Sequence, residues 1–586
     1  MAKSALILRC DDRSGLTVIR SLGRAGIKVD VGWPVKRCAI RSRYVRHVFD
    51  LPDPSDQTGS WLETLKSLVT RYNYDLIIPC DDRAIIPIQQ HKNEINKYAR
   101  VYALTEEAFL ATFDKYQTML LAERCSIRLP RWALVRSPEE IASVSEQFSF
   151  PVVLKPLSSF SIQNAEERRE VRSIRDRNDF SPTLKMMLRG GAVLVQTYFS
   201  GRGVGIELAA KDGAVLAAFQ HERVHEPPSG GASSYRRSVP LDTELLAAAA
   251  ALVAQLHYTG VIMVEFRVND KIGDWTLIET NGRFWGSLPL AVASGMDFPR
   301  YLYEMLVEGR TNFSKSYKTG VYCRNLTLDL SWFKKNLKAD RSDPTLQVVP
   351  LTRVFTEFWN VLTLAEHIDT FALDDPLPFF IEIRELAARG SKFLLQRASR
   401  GSGLSTFLKR RRVRRARSKI SRAGNVIFVC YGNICRSPFA EAYARSIAPS
   451  DITFMSAGTF SKADRRSPQE AQAAAGRFGI DLDKHRSQVL SAAMIDRSDV
   501  IFVFDRRNLE EISLQFPRAK SRIVRLGDFL PGPDDEIHDP FGQSLERFEY
   551  CYRTIVDLLS QIARHCWTTG NQTTEDAFPV RHGKTL

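Results

Sequence analysis

Between Asn425 and Glu441 the chain reads NVIFVCYGNICRSPFAE, an apolar run that stops at Cys430, followed six residues later by Arg436, Ser437 and Pro438. Val426 to Val429 have the composition of a buried parallel strand, and Pro438 suits the first turn of a helix. The residues between must therefore turn tightly from a strand end into a helix N-terminus. Successive backbone N–H groups point inward in such a turn, and the helix dipole adds positive potential, which together seat a tetrahedral oxyanion. Cys430 would lie under that anion, with Arg436 gripping two of its oxygens as a planar fork. The same field favours thiolate over thiol, the form that acts as a nucleophile.

The context narrows the chemistry. Gly432 and Asn433 tolerate unusual backbone angles, Ser437 can stabilise the thiolate as a leaving group, and a second cysteine, Cys435, lies inside the loop beside Ile434. Far downstream, Ile537-His538-Asp539-Pro540-Phe541-Gly542 places an aspartate on a constrained loop. Expelling a tyrosyl or alkyl oxygen needs a proton donor, which such a carboxyl can be. The loop CYGNICRS, the segment Ser456-Ala457-Gly458-Thr459, Gly479-Ile480-Asp481 with His485-Arg486-Ser487, and the Asp-Pro pair together resemble the low-molecular-weight protein tyrosine phosphatase family over about 424–565. The resemblance implies Cys430 as nucleophile of a cysteinyl-phosphate route, Arg436 as transition-state clamp and Asp539 as general acid then base. Tyr431, Gly432, Asn433, Ile434, Cys435 and Ser437 complete the phosphate loop, with Asn433 and Ser437 as its organisers. Phe541-Gly542 after the Asp-Pro pair is closer to the bacterial form than to the eukaryotic one. Two alternatives stand beside this reading. One is arsenate reduction, which needs a cysteine relay for which only Cys551 and Cys566 follow the loop; the other is a structural cysteine beside a surface arginine.

At 586 residues the chain is too long for one core. Its 44% hydrophobic and 25% charged content is that of a globular protein. No apolar run reaches membrane-spanning length, the N-terminus MAKSALILRCDD lacks a signal-peptide layout, and nine cysteines without framework spacing argue for a reducing compartment. The expected location is cytoplasmic, with a membrane-peripheral variant. The net charge of +15 is uneven: Lys409 to Arg422, KRRRVRRARSKISR, holds nine basic residues and no acidic one, leaving about +6 elsewhere. A solvated linker, a tether to an anionic membrane surface helped by Leu404, Phe407 and Leu408, and a polyanion contact are all open for 409–422. A charge pattern concentrated in one segment does not call for nucleic acid as the main partner.

The first 120 residues alternate strand and helix, with strands at Ala5–Leu8, Val29–Val31 and Asp75–Pro79, as in an open doubly wound α/β sheet. FPVVLKP ends a strand at Lys155, and Val193 to Tyr198 is a second apolar strand with a polar end. Val264-Glu265-Phe266 and Leu277-Ile278-Glu279-Thr280-Asn281-Gly282-Arg283 then put acidic groups on strands that can pair, the oxygen donors magnesium takes alongside nucleotide phosphates. These residues in this order resemble the ATP-grasp superfamily, in its carbamoyl-phosphate-synthase-like branch, over roughly 1–310. The resemblance implies phosphate binding by Lys115 and Lys155, adenine contacts at the hinge Gln196–Tyr198, Mg²⁺ on Glu265, Glu279 and Asn281, and Arg283 facing the transferred phosphoryl group. The hinge departs from the family at Thr197, where a glutamate is usual, and the lid loop after Pro156 is serine-rich. His221, Glu222, Arg223 and Arg236-Arg237 bracket Gly230-Gly231 and read either as part of a carboxylate acceptor site or as a charged surface hairpin.

The expected layout is a pre-ATP-grasp α/β domain at 1–112, an ATP-grasp domain with a lid and an α+β subdomain at 113–310, and a helical extension at 311–400. The extension carries Trp332, Phe333, Phe355, Phe358, Trp359, Phe379 and Phe380, as a buried or interfacial element or a shallow membrane contact. A basic linker at 401–423, a three-layer α/β/α phosphatase domain with a parallel sheet at 424–566 and a disordered tail at 567–586 complete it. The expected function is a fusion of a phosphatase for phosphotyrosine proteins or aryl phosphates with a Mg-ATP-dependent ligase joining a carboxylate to an amine through an acylphosphate. The competing class is a signalling protein in which a non-catalytic ATP-binding module gates the phosphatase.

Overall fold

The computed structural model describes the chain apart from residues 1–2, 11–12, 34–37, 55–58, 159–168, 229, 342, 344–345, 363–364, 401–402, 532–535 and 568–586. Two compact units divide it, Met1–Ala388 and Arg389–Leu586.

The first unit opens with a four-stranded sheet of β1 (Ser4–Leu8), β2 (Lys28–Gly32), β3 (Val45–Phe49) and β4 (Leu76–Pro79), in the order β3-β2-β1-β4 and parallel throughout. Every residue of β1 and β4 is buried, as unbroken apolar runs in a parallel sheet require. The lid is an antiparallel sheet of β5 (Trp132–Val135), β6 (Val152–Pro156), β7 (Arg172–Ile174) and β8 (Val193–Thr197), ordered β5-β8-β6-β7, with its own core around Val152, Leu154, Phe180 and Val195. The serine-rich lid loop lies largely outside the described residues.

The central sheet has seven strands: β9 (Arg202–Lys211), β10 (Ala214–His225), β11 (Tyr235–Ser238), β12 (Gly260–Asn269), β13 (Asp274–Asn281), β14 (Tyr322–Arg324) and β15 (His367–Ile368), ordered β13-β12-β9-β10-β11-β14-β15. The last two correct the expectation of a helical extension at 311–400. Helices do form there, at Leu326–Lys338 and Leu351–Leu362 and from Leu377 onward, but β14 pairs with β11 and β15 with β14. Strands of three and two residues are too short to carry a period, so their formation depends on partners distant in sequence. Buried charges tie them in. Arg236 on β11 donates to Asp369 just after β15, and Arg324 on β14 pairs with Glu366 and Asp329. His225 at the end of β10 lies between Asp329 (2.8 Å) and Glu357 (2.6 Å), stacked on Trp332 at 3.5 Å between ring centres. Of the aromatic residues expected in the extension, Trp332 is buried, whereas Trp359 and Phe380 are exposed; the side chains of Phe355 and Phe358 lie outside the description.

The second unit holds β16 (Asn425–Cys430), β17 (Thr453–Gly458), β18 (Val500–Val503) and β19 (Ile523–Arg525), a parallel sheet ordered β17-β16-β18-β19. Helices Arg436–Ile447, Gln469–Gly476 and Leu545–Cys566 pack together around Phe439, Phe548, Tyr552 and Ile555. Two boundaries move. The basic segment expected as a linker is a helix, Gly403–Ile420, whose Ala416 and Ile420 are buried in this core with Val413 packed against it. Its arginines, lysines and alanine are good helix formers, and Val413, Ala416 and Ile420 recur at a helical interval. Trp567, the first residue of the expected tail, is buried against Phe454 at 5.2 Å; residues 568–586 lie outside the description.

Candidate functional site

The carboxyl end of β16 delivers Cys430, 2% exposed, beneath the loop that turns into helix Arg436–Ile447. The loop is built around Asn433, whose φ of 50° is in the left-handed region that asparagine tolerates. That turn aims the Asn433 N–H at the Cys430 sulfur, 3.2 Å away. The Asn433 amide donates to Ser437 Oγ and Ser456 Oγ, 2.9 Å each, and its carbonyl oxygen accepts from Gln488 N at 2.8 Å. Ser437 Oγ is 3.0 Å from Cys430 Sγ. The Cys430 sulfur thus has two hydrogen-bond partners fixed before any substrate arrives. Gly458, opposite Cys430 in the β16–β17 register, has no room for a side chain, since a Cβ there would come within 2.7 Å of the Tyr431 carbonyl. His485, flagged only as part of a motif, holds the far side of the loop through Nε2 to Asn433 O at 2.8 Å. Ile434 and Cys435 are buried, and burial pushes the Cys435 thiol well above its ordinary range, with the Asp539 charge adding to the effect. Gly432 is positioned by Arg465, which donates to its carbonyl at 2.5 Å.

Arg436 is 1% exposed, and its guanidinium stays charged there. Burial works against the charge, but the Asp539, Cys430 and Asp505 charges raise its pKa above the ordinary arginine value. Nη1 donates to Asp505 Oδ2 at 2.6 Å and to the Ile537 carbonyl at 2.7 Å, and Nη2 lies 2.8 Å from Asp539 Oδ2. Nε is buried with no hydrogen-bond partner among the described residues, leaving a charged donor over for an incoming anion. Asp539 is 38% exposed on its side chain, accessible to solvent and to a substrate oxygen. Sequence reasoning missed Asp505. Its signal was an apolar strand, β18, ending at a carboxylate, the strand-end position where ligands gather in parallel sheets. The expected relay cysteines for arsenate chemistry are both on helix Leu545–Cys566: Cys551 is buried, its thiol pushed up to about 12 chiefly by burial, and Cys566 is buried in the core.

In the first unit, Lys115 opens helix Lys115–Arg124 and Lys155 ends the apolar part of β6, with Nζ 3.4 Å from the Ile278 carbonyl. Glu265 and Glu279 are register partners on β12 and β13, and Asn281 Nδ2 donates to Glu279 Oε1 at 3.3 Å. Burial pushes the Glu265 carboxyl up to about 7 and the Lys155 ammonium down to about 8. Burial also works to raise Glu279, but the charges of Lys115, Lys155 and Arg223 hold it below the ordinary carboxylate range. Two lysines, two carboxylates and an amide therefore converge. Among the described residues no three His, Cys, Asp or Glu side chains form a protein-only metal cage. Two carboxylates plus an amide oxygen fit instead a magnesium ion that takes its remaining ligands from phosphates. Arg223, read from the sequence as part of an acceptor site or of a surface hairpin, donates to Glu265 beside these groups.

Two further expected residues already hold protein partners. Arg283 is forked onto Asp82 of the first α/β sheet's helix Asp82–Ile95, at 2.6 and 3.1 Å. Gln196 is buried with its amide on Met119 Sδ, 3.1 Å away. Tyr198 does line a cleft of about 440 Å³ at the hinge, with Thr197, Arg131 and Thr276. His221 and Arg236 are buried, which removes the surface-hairpin reading of that segment.

Residues 425–571 match the family model "Low molecular weight phosphotyrosine protein phosphatase", and residues 190–327 match "ATP-grasp in the biosynthetic pathway with Ter operon". The second unit is 30% identical over 143 residues to a protein-arginine-phosphatase of Bacillus subtilis (strain 168), covering 24% of this chain and 95% of that one. It is 33% identical over 124 residues, 21% of this chain and 83% of the relative, to the probable low molecular weight protein-tyrosine-phosphatase EpsP of Ralstonia nicotianae. The chain belongs to the low molecular weight phosphotyrosine protein phosphatase family. Its membership rests on the second unit; the first carries the ATP-grasp match. Among solved structures, biotin carboxylase from Campylobacter jejuni is similar over 54% of this chain and 74% of its own, at 15% identity and a TM-score of 0.44. The YwlE arginine phosphatase from Geobacillus stearothermophilus is similar over 24% of this chain and 90% of its own, at 29% identity and a TM-score of 0.23.

Proposed function

We propose that the chain is a two-activity enzyme in which the phosphatase unit hydrolyses aryl phosphates, phosphotyrosine in proteins above all, through a cysteinyl-phosphate. Cys430 Sγ attacks phosphorus as the P–O bond to the leaving group breaks, and Asp539 donates a proton to the departing oxygen. Asp539 then takes a proton from the water that attacks the phosphocysteine, releasing phosphate and the thiolate. Arg436 holds the equatorial oxygens through both steps. The observation that carries this reading is the preset sulfur: Cys430 Sγ receives Asn433 N–H at 3.2 Å and lies 3.0 Å from Ser437 Oγ, inside a loop whose arginine keeps a free buried donor.

The relatives include phosphatases for phosphoarginine as well as phosphotyrosine, and the surroundings of the loop favour the aromatic substrate. Tyr431 and Phe460 sit 5.3 Å apart, Arg507 lies 3.5 Å over the Tyr431 ring and Arg465 4.4 Å over Phe460. Two guanidiniums at the loop disfavour the positive charge that develops on a leaving guanidine, whereas a leaving phenolate carries the opposite sign. Turnover of O-phosphotyrosine against phosphoarginine, with Cys430→Ser as the null, tests the assignment. The proposal fails if phosphoarginine is preferred or if the serine variant stays active.

For the first unit the same proposal assigns Mg·ATP-dependent ligation: ATP transfers its γ-phosphoryl group to a carboxylate, and an amine displaces phosphate from the resulting acylphosphate. Lys115 and Lys155 would bind phosphate oxygens, and Glu265, Glu279 and Asn281 would hold Mg²⁺, which when bound neutralises phosphate charge. ADP release that requires added carboxylate and amine supports ligation. Tight ATP binding with no acceptor-dependent turnover supports the gating module instead.

A further inference from the structure

The basic segment is absorbed by neither activity, and its fold gives it a surface. Helix Gly403–Ile420 lies on the phosphatase core through Val413, Ala416 and Ile420. Three polar contacts pin it: Lys409 Nζ donates to the Leu530 carbonyl at 2.7 Å, Arg412 pairs with Asp528 at 3.4 Å, and Lys419 donates to the Ser521 carbonyl. Arg410, Arg411, Arg414 and Arg415 are exposed, and no ion pair is recorded for any of them among the described residues. At 100° per residue, positions 411, 414, 415 and 418 fall opposite the buried row; the side chains of Leu404, Phe407 and Leu408 lie outside the description. Lys419's contact places the helix end beside the turn Pro517–Ser521, which adds exposed Arg518 and Lys520, and Leu514 just before it is 81% exposed.

We infer that this face docks the phosphatase unit on an anionic lipid bilayer. A helix fixed against a domain from Lys409 to Ile420 offers a shallow cationic stripe, and a flat charged surface meets all of it at once. Exposed Leu514 beside the stripe can enter the headgroup boundary. Nucleic acid is served less well, because the helix lies flat against the domain and does not project to enter a groove. Basic residues near an anionic membrane each favour binding about five-fold, so the four arginines together contribute several-hundred-fold. The surface would bring Cys430 to substrates held at a membrane, a consequence that depends on the phosphatase assignment, whereas the docking itself does not.

The test uses the full chain and vesicles of phosphatidylcholine with or without a minority of phosphatidylserine, measured by flotation at physiological ionic strength. The chain is expected to float with anionic vesicles only, and to be released as salt rises. Changing Arg410, Arg411, Arg414 and Arg415 together to alanine should lower the partition coefficient several-hundred-fold and leave aryl-phosphate turnover unchanged. The matching four-lysine variant, which keeps charge and helix propensity, should still float and guards against a misfolded alanine variant. Absence of flotation, flotation indifferent to both variants, or tighter binding to duplex DNA or RNA than to anionic vesicles at the same salt overturns the inference.

Discussion

Asp505→Asn isolates what the Arg436 carboxylate partner does for catalysis. Asp505 has two duties: Oδ2 accepts from Arg436 Nη1 at 2.6 Å, and Oδ1 caps helix Arg506–Gln515 by accepting from Asn508 N at 2.8 Å. Asparagine is as good an N-cap as aspartate, so the change removes charge and keeps the cap. A hydrogen bond to a charged group contributes about 1.5–3 kcal/mol. Arg436 keeps the Ile537 carbonyl and Asp539 as partners, so the loss falls on its aim rather than on its burial. Converted at about 1.4 kcal/mol per factor of ten, kcat/KM for an aryl phosphate should fall about 10- to 100-fold. Asp505→Ala should reach a similar rate but lose about 1 kcal/mol more stability, the cap's contribution. Steady-state kinetics with urea unfolding of both variants measures the two effects. Unchanged kcat/KM in Asp505→Asn, or rates that track stability across the pair, would refute the positioning argument.

Asp539→Asn should slow hydrolysis of poor leaving groups by about 10²–10⁴-fold and barely affect an activated phenolate, read as the slope of log kcat/KM against leaving-group pKa. Glu279→Gln should weaken Mg·ATP far more than metal-free ATP in calorimetry while leaving aryl-phosphate turnover intact; equal weakening of both would remove Glu279 from the metal site. His225 has its pKa raised: burial opposes the charge, but Asp329 and Glu357 outweigh it. A raised value means that stability is fully present below the unfolded pKa of about 6.5 and is lost as pH rises through the folded one, so amide exchange in β10 and β14 should speed up as pH rises beyond what intrinsic chemistry gives. His225→Gln should abolish that extra dependence, and a persistent one would place its source elsewhere.

What was legible in the sequence was local. Asn425 to Pro438 carries its strand, its loop and its helix start within fourteen residues, and the two residues that touch the sulfur, Asn433 and Ser437, are inside that stretch. Arg436's partners were legible unevenly: Asp539 stands in a constrained Asp-Pro loop, whereas Asp505 reaches the site only because β18 lies next to β16. The same distance effect hid Asp82 from Arg283, two hundred and one residues apart, and hid β14 and β15, whose pairing depends on Arg236, Asp369 and Arg324 meeting in the folded core. The basic segment misled for a different reason. Charge density reads as solvation, and the three small or branched residues that seat the helix, Val413, Ala416 and Ile420, are outvoted by the arginines around them.

The account's central claim is that Cys430 carries the phosphoryl group between the two half-reactions. Rapid acid quench of the full chain during turnover of a good aryl phosphate, followed by mass spectrometry of the peptide spanning 425–441, tests it directly. The account predicts a phosphoryl group on Cys430, formed with a burst of phenolate and accumulating further in Asp539→Asn, whose carboxamide cannot activate the hydrolytic water. Phosphate on another residue, or steady turnover with neither burst nor phosphocysteine in either protein, would contradict it.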